Sequence, residues 1–219
     1  MSQKESMFAR FQAFLDRPIF PSARIAVAIL TIPLVLSFTM PIWKISMVAP
    51  QYPDGLYLYI WSYKLEGGAD GQHIAEINTL NHYIGMRGID DAASADLGWI
   101  PFALGALVLI ALRVAAIGNV RSLLDLTVLT SYVSLFAFGR FVYRLYVFGH
   151  DLDPTAPVKV EPFMPVVIGT KQIANFTTTS LPMAGSYGIG IFVTGTLVVT
   201  LWHLVAGRQE ARRVRRSTT

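Results

Sequence analysis

GWIPFALGALVLIALRVAAIGNVRSLLDLTVLTSYVSLFAFGRFVYRLYVFGH, residues 98–150, is apolar along most of its length. Two apolar runs, about 98–117 and 122–148, flank the tight turn Gly118-Asn119-Val120-Arg121. Each run reaches the roughly 20 apolar residues that a helix needs to cross a hydrocarbon core. Working outward, two more runs of that length appear, about 25–48 and 183–207. The first is too long for the apolar part of a secretory signal and lacks a small-x-small cleavage site, so it reads as a retained helix, kinked at Pro33 and Pro41.

Composition agrees with membrane residence. Only 15% of the 219 residues are charged and 53% are hydrophobic, with a mean hydropathy of +0.48. A soluble domain carries about a quarter charged residues. The chain has no cysteine, which excludes disulfides, thiolate metal sites and thiol redox chemistry. Walker loops, dinucleotide fingerprints, nucleophilic triads and zinc-protease motifs are absent as well.

Charge gives the orientation. The N-terminus, the 118–121 turn with its flanks and the C-terminal tail carry 11 Lys/Arg against 4 Asp/Glu. The segments 49–97 and 149–182 with their flanks carry 7 against 10, so +7 on one side and −3 on the other make up the net +4. Positive residues stay inside, which places both long loops in the periplasm and explains the basic balance without nucleic acid.

The expectation is therefore an all-α membrane protein of the bacterial inner (cell) membrane. It has four transmembrane helices, cytoplasmic N and C termini, and two long periplasmic loops with a short interfacial helix. Residues 1–24 form a cytoplasmic amphipathic segment, with Phe8, Phe11, Phe14 and Leu15 at helical spacing. Residues 25–207 form the membrane domain and 208–219 a basic cytoplasmic tail. In the first loop, Ile74, Ile77, Leu80 and Ile84 predict a helix over 72–86.

That helix carries the first candidate site. Asn78, His82 and Met86 stand four residues apart on one face, with His73 and Glu76 on a neighbouring part. Imidazole with thioether suits copper, the cuprous ion above all. The His150-Asp151-Leu152-Asp153 segment offers further ligands from the second loop. The same groups also serve as packing and hydrogen-bonding residues, or as a solvated turn closed by Pro154. A second constellation is Arg140 and Arg144, four apart near the outer end of the third span. They either pair with loop carboxylates such as Glu76, Asp151 or Glu161, or bind an anionic ligand, lipid or quinone headgroup. No span carries a central acid, and Asp125 lies near an inner end, which argues against an ion-coupled transporter. Ser186, Gly190 and Thr194 form a small-residue packing ridge.

The stretches IWKISMVAPQYPDGLYLYIW with EINTLNHYIGM, and GHDLDPTAPVKVEPFMP with ANFTTTSLP, resemble small membrane proteins that accompany nitrous oxide reductase and its copper-assembly genes. The resemblance covers about 90 residues, in both loops and the end of the first run. It implies that His82, Met86 and His150 face periplasmic copper traffic, and attaches no mechanism to them. The expected function is an accessory inner-membrane protein whose periplasmic loops serve a metalloprotein, in copper supply or assembly. The alternatives are a structural or electron-transfer subunit of a respiratory or photosynthetic membrane complex, and a metal-dependent membrane enzyme. The expected partners are the lipid bilayer and other membrane or periplasmic proteins.

Overall fold

The structure is a computed structural model that describes residues 3–89, 97–173 and 175–217. Its elements, in chain order, are α1 (Gln3–Leu15), α2 (Pro21–Leu36), β1 (Trp43–Ala49), β2 (Tyr52–Ile60), β3 (Leu65–Gly67), α3 (Gln72–Tyr83), α4 (Ile100–Ile117), α5 (Val120–His150), β4 (Gly169–Ile173), β5 (Phe176–Pro182) and α6 (Ala184–Ser217). Among the described residues, four stretches are long and apolar enough to cross a membrane: Pro21–Thr39, Ile100–Ile117, Val120–His150 and Ala184–Gln209.

The all-α fold class is overturned. The two inter-helix segments, expected as loops, fold together into one five-stranded antiparallel sheet of order β3-β2-β1-β5-β4. The expected first span, 25–48, is cut short for the same reason. The α2 helix ends at Leu36, a 3-10 turn covers Ser37–Thr39, and Met40 is extended at φ −135°, ψ 145°. A residue before proline is pushed out of the helical region, and Pro41 imposes this on Met40. Trp43–Ala49 then runs as a strand. The 19 residues Pro21–Thr39 still rise about 28 Å at 1.5 Å per residue, close to the hydrocarbon thickness.

The chain divides into two compact units. Unit 1 comprises Met1–Val35, Leu104–Ser134 and Ile189–Thr219. Its interior is Ala23, Val27 and Leu34 of α2, Leu107, Ala111 and Val114 of α4, Leu123 and Leu126 of α5, and Phe192 of α6. Close approach is built in at Gly195, where a Cβ would run into the Leu30 side chain. The buried hydroxyls of Thr31, Thr127, Thr196 and Thr200 find partners within the bundle, whereas Thr130 Oγ1 is buried without one among the described residues. Thr31 and Thr196 bond back to the carbonyls of Val27 and Phe192, and Thr127 Oγ1 meets Thr200 Oγ1 at 2.7 Å. The α4–α5 turn is a reciprocal cap, in which Ser122 N–H donates to Asn119 Oδ1 and Asn119 N–H donates to Ser122 Oγ, both at 2.9 Å. Arg121 ties α1 to this turn through Asp16 at 3.2 Å and through Gln12.

Unit 2 comprises Leu36–Ala103 and Leu135–Gly188. Alternation sorts the sheet into two faces. Ile45, Met47, Leu56 and Leu58 share the face covered by α3, whose Ile77 and Leu80 complete a buried core. Trp43 lies on that face too, tilted against Phe141 with ring centroids 4.9 Å apart, and its Nε1–H donates to Ser180 Oγ at 2.7 Å. Lys44, Ser46, Tyr57 and Tyr59 occupy the opposite face.

Candidate functional site

The α3 helix stops at Tyr83, not at 86, and its stop organises the site. Gly85 takes φ +78°, Gly85 N–H donates to His82 C=O at 3.2 Å, and Met86 N–H donates to Asn81 C=O at 2.8 Å. These are the paired bonds of a Schellman motif, with glycine supplying the left-handed residue. Met86 therefore lies beyond the helix, and the four-residue spacing from His82 no longer sets a shared helical face. Asn78 is used structurally, since its Nδ2–H donates to Ile89 C=O at 3.1 Å and its Oδ1 accepts Ile89 N–H at 2.5 Å.

The same chain end forms a seam with the segment that follows α5. Asp153 N–H donates to Gly85 C=O at 2.8 Å, Val158 N–H donates to Tyr83 C=O at 3.0 Å, and Arg87 pairs with Asp151 at 2.5 Å. Gly85 is buried at this seam: a Cβ there would lie 2.8 Å from Asp153 O and 2.9 Å from Asp153 N. His82 and Met86 from the first segment and His150, Asp151 and Asp153 from the second are thus carried by two strands of chain that bond to each other. His82 is exposed. Asp153 is held below the usual carboxylate range, first by the Thr155 hydroxyl, then by Thr155 N–H, with the charge of His82 a smaller contribution. Its Oδ1 accepts from both Thr155 groups, at 2.6 and 2.8 Å.

Hydrogen bonding fixes two imidazole tautomers. His150 Nδ1 lies 2.9 Å from Tyr146 C=O, which can only accept, so Nδ1 carries a proton and, in the neutral ring, Nε2 keeps its lone pair. Ligating histidines have this arrangement, donating the other ring N–H to a carbonyl. The ring also stacks on Tyr146 at 3.8 Å. His73 is the reverse. Its Nδ1 accepts Tyr57 N–H at 3.0 Å, so Nε2 holds the proton, and ligation would require that bond to break. Glu76 accepts the Tyr52 hydroxyl, which pushes the phenol above its ordinary range. Among the described residues, no three of His, Asp and Glu converge as a metal cluster. Arg140 and Arg144 lie half-buried in the last third of α5, within unit 2. Two carboxylates expected beside them, Asp151 and Glu76, bond to Arg87 and Tyr52 respectively.

Sequence reading missed the other sheet face. There Lys44 Nζ lies 4.3 Å from the Tyr57 ring centroid and 5.5 Å from that of Tyr59, while Lys64 lies 5.1 Å from the Trp61 ring. Lys64 also pairs with Glu66 at 2.8 Å. The available signal was the alternation in Trp43-Lys44-Ile45-Ser46-Met47, where Lys and Ser interrupt an otherwise apolar run. Comparison of the chain with protein-family models, curated proteins and solved structures finds no match.

Proposed function

We propose that this chain is an accessory protein of the bacterial inner membrane whose sheet unit lies on the periplasmic side and serves a copper-handling partner protein. The observation that carries the reading is the joint sheet. β1 pairs with β5 over six residue pairs, Trp43↔Pro182 to Val48↔Thr177, so the segments after α2 and after α5 belong on the same side of any membrane. Two crossings by α4 and α5 between those segments satisfy this, and the excess of Lys/Arg on the other connections supports an outward-facing sheet.

Delivery of a metal needs an open site that releases its ion. The seam offers one imidazole with its Nε2 lone pair free at His150, an exposed imidazole at His82, and the Met86 thioether, a soft set suited to cuprous copper. The resemblance of these loops to proteins accompanying nitrous oxide reductase points the same way. The aromatic and lysine face of the sheet suits docking, because Tyr and Trp are enriched in protein interfaces. A second reading, a subunit of a larger membrane complex, draws on how little the spans bury: 22 to 28% of each most apolar window.

Cuprous-ion titration of the purified chain beside His82→Ala, Met86→Leu and His150→Ala tests the proposal. Weakened binding in each variant, with unfolding midpoints unchanged, is the expected result. Equal affinity in all four proteins would remove copper from the reading and leave a docking platform.

A further inference from the structure

Unit 1 contains a cavity of about 360 Å³ lined by Phe11, Phe14, Arg17, Leu204, Gly207 and Arg208. That volume falls within the range of small-molecule pockets, roughly 300–1,000 Å³. Each wall is a short, mostly apolar ladder ending in an arginine. Phe11 and Phe14 of α1 are followed three residues on by Arg17, and Leu204 and Gly207 of α6 are followed by Arg208. Gly207 leaves the α6 backbone bare, since a Cβ there would meet no atom within 4 Å. Asp16, the acid next to Arg17 in sequence, pairs with Arg121 at 3.2 Å.

We infer that this cavity seats one acyl chain of an anionic phospholipid, with Arg17 and Arg208 holding its phosphate. An apolar wall without charge would take any lipid tail, and two guanidiniums without the wall would take any small anion. The combination selects an amphiphile with an anionic head, and guanidinium groups match phosphate oxygens in bidentate geometry. The seat joins the amphipathic helix α1 to the end of the last candidate span, Ala184–Gln209. It rests on the membrane reading only for the setting in which lipid is met.

The test uses the full chain in neutral detergent, titrated separately with phosphatidylglycerol, phosphatidylcholine and inorganic phosphate. The readouts are a one-to-one adduct by native mass spectrometry and the thermal unfolding midpoint. Phosphatidylglycerol should form the adduct and raise the midpoint, phosphatidylcholine should bind more weakly, and phosphate alone should do neither. Removing each guanidinium, by Arg17→Gln or Arg208→Gln, should weaken phosphatidylglycerol about five-fold, the equivalent of roughly 1 kcal/mol per basic residue near an anionic head. Gly207→Leu should abolish the adduct while keeping the lipid-free midpoint, because leucine meets open space and favours helix over glycine. Equal binding of the two lipids, or a Gly207→Leu protein that binds as the parent does, would overturn the seat. An effect matched by phosphate alone would mark a free-anion site and overturn it too. If Gly207→Leu fails to fold, the two arginine variants decide alone, since both side chains are exposed. Failure of the membrane reading would show differently, as a chain monodisperse without detergent.

Discussion

Replacing Gly85 by alanine should cost about 2–3 kcal/mol of stability, and the structure separates that figure into two parts. At φ +78° an L-residue pays roughly 1–2 kcal/mol for the left-handed conformation. The added methyl would also lie 2.8 Å from Asp153 O and 2.9 Å from Asp153 N, both backbone atoms that cannot swing aside. The 153–158 segment must move, and with it goes the Asp153 N–H···O=C Gly85 bond of 2.8 Å, a loss of about 1 kcal/mol. Gly71→Ala is the control. Gly71 has φ +94°, yet a Cβ there meets nothing within 4 Å, so only the conformational cost of roughly 1–2 kcal/mol applies. Denaturant unfolding in detergent, followed by tryptophan fluorescence, should rank parent, Gly71→Ala and Gly85→Ala in falling stability. A Gly85→Ala protein no less stable than Gly71→Ala would refute the seam between the two inter-helix segments.

Four further outcomes follow from single contacts. Ser180→Ala leaves the buried Trp43 indole N–H without its acceptor and should cost about 1–3 kcal/mol by the same unfolding assay. Thr127→Val removes the 2.7 Å hydroxyl contact with Thr200 inside the bundle and should cost only about 0.6 kcal/mol, the mean for interhelical hydrogen bonds in a membrane protein. The folded-state pKa of Asp153 is lowered, so its contribution is present above the ordinary carboxylate pKa and lost as pH falls through the lower folded value. Acid unfolding should therefore be shallower in Asp153→Asn. Tyr52 is raised above 10.0 by Glu76, so its contribution is full below that pH and lost as pH rises through the higher folded value, a loss that Tyr52→Phe should abolish.

The helices were legible in the sequence because length and apolarity report on a bilayer directly. The sheet was not, because its strands imitate other things. Trp43–Ala49 continues the apolar run of α2 without a charged break other than Lys44, and Tyr52–Ile60 reads as an interfacial aromatic stretch. Phe176–Pro182 is rich in Thr, a β-branched residue that suits a pleated surface, but its partner β1 lies more than 120 residues earlier. Pairing at that separation leaves no local signature. At the site, the residue types at His82, Met86 and His150 were visible, whereas the tautomers of His73 and His150 depend on Tyr57 N–H and Tyr146 C=O, which only the folded chain brings to them.

The sidedness of the sheet is tested most directly by single-cysteine labelling, which is clean in a chain without native cysteine. Cysteines placed at Asp70, in the first inter-helix segment, at Thr155, in the second, and at Gln209, at the end of the candidate span Ala184–Gln209, are exposed to a membrane-impermeant maleimide only on their own side. In intact spheroplasts Asp70→Cys and Thr155→Cys should both label, and Gln209→Cys should label only after the inner membrane is opened. Labelling of Gln209→Cys in intact spheroplasts, or protection of either sheet-side cysteine until permeabilisation, would contradict a periplasmic sheet carried on four crossings.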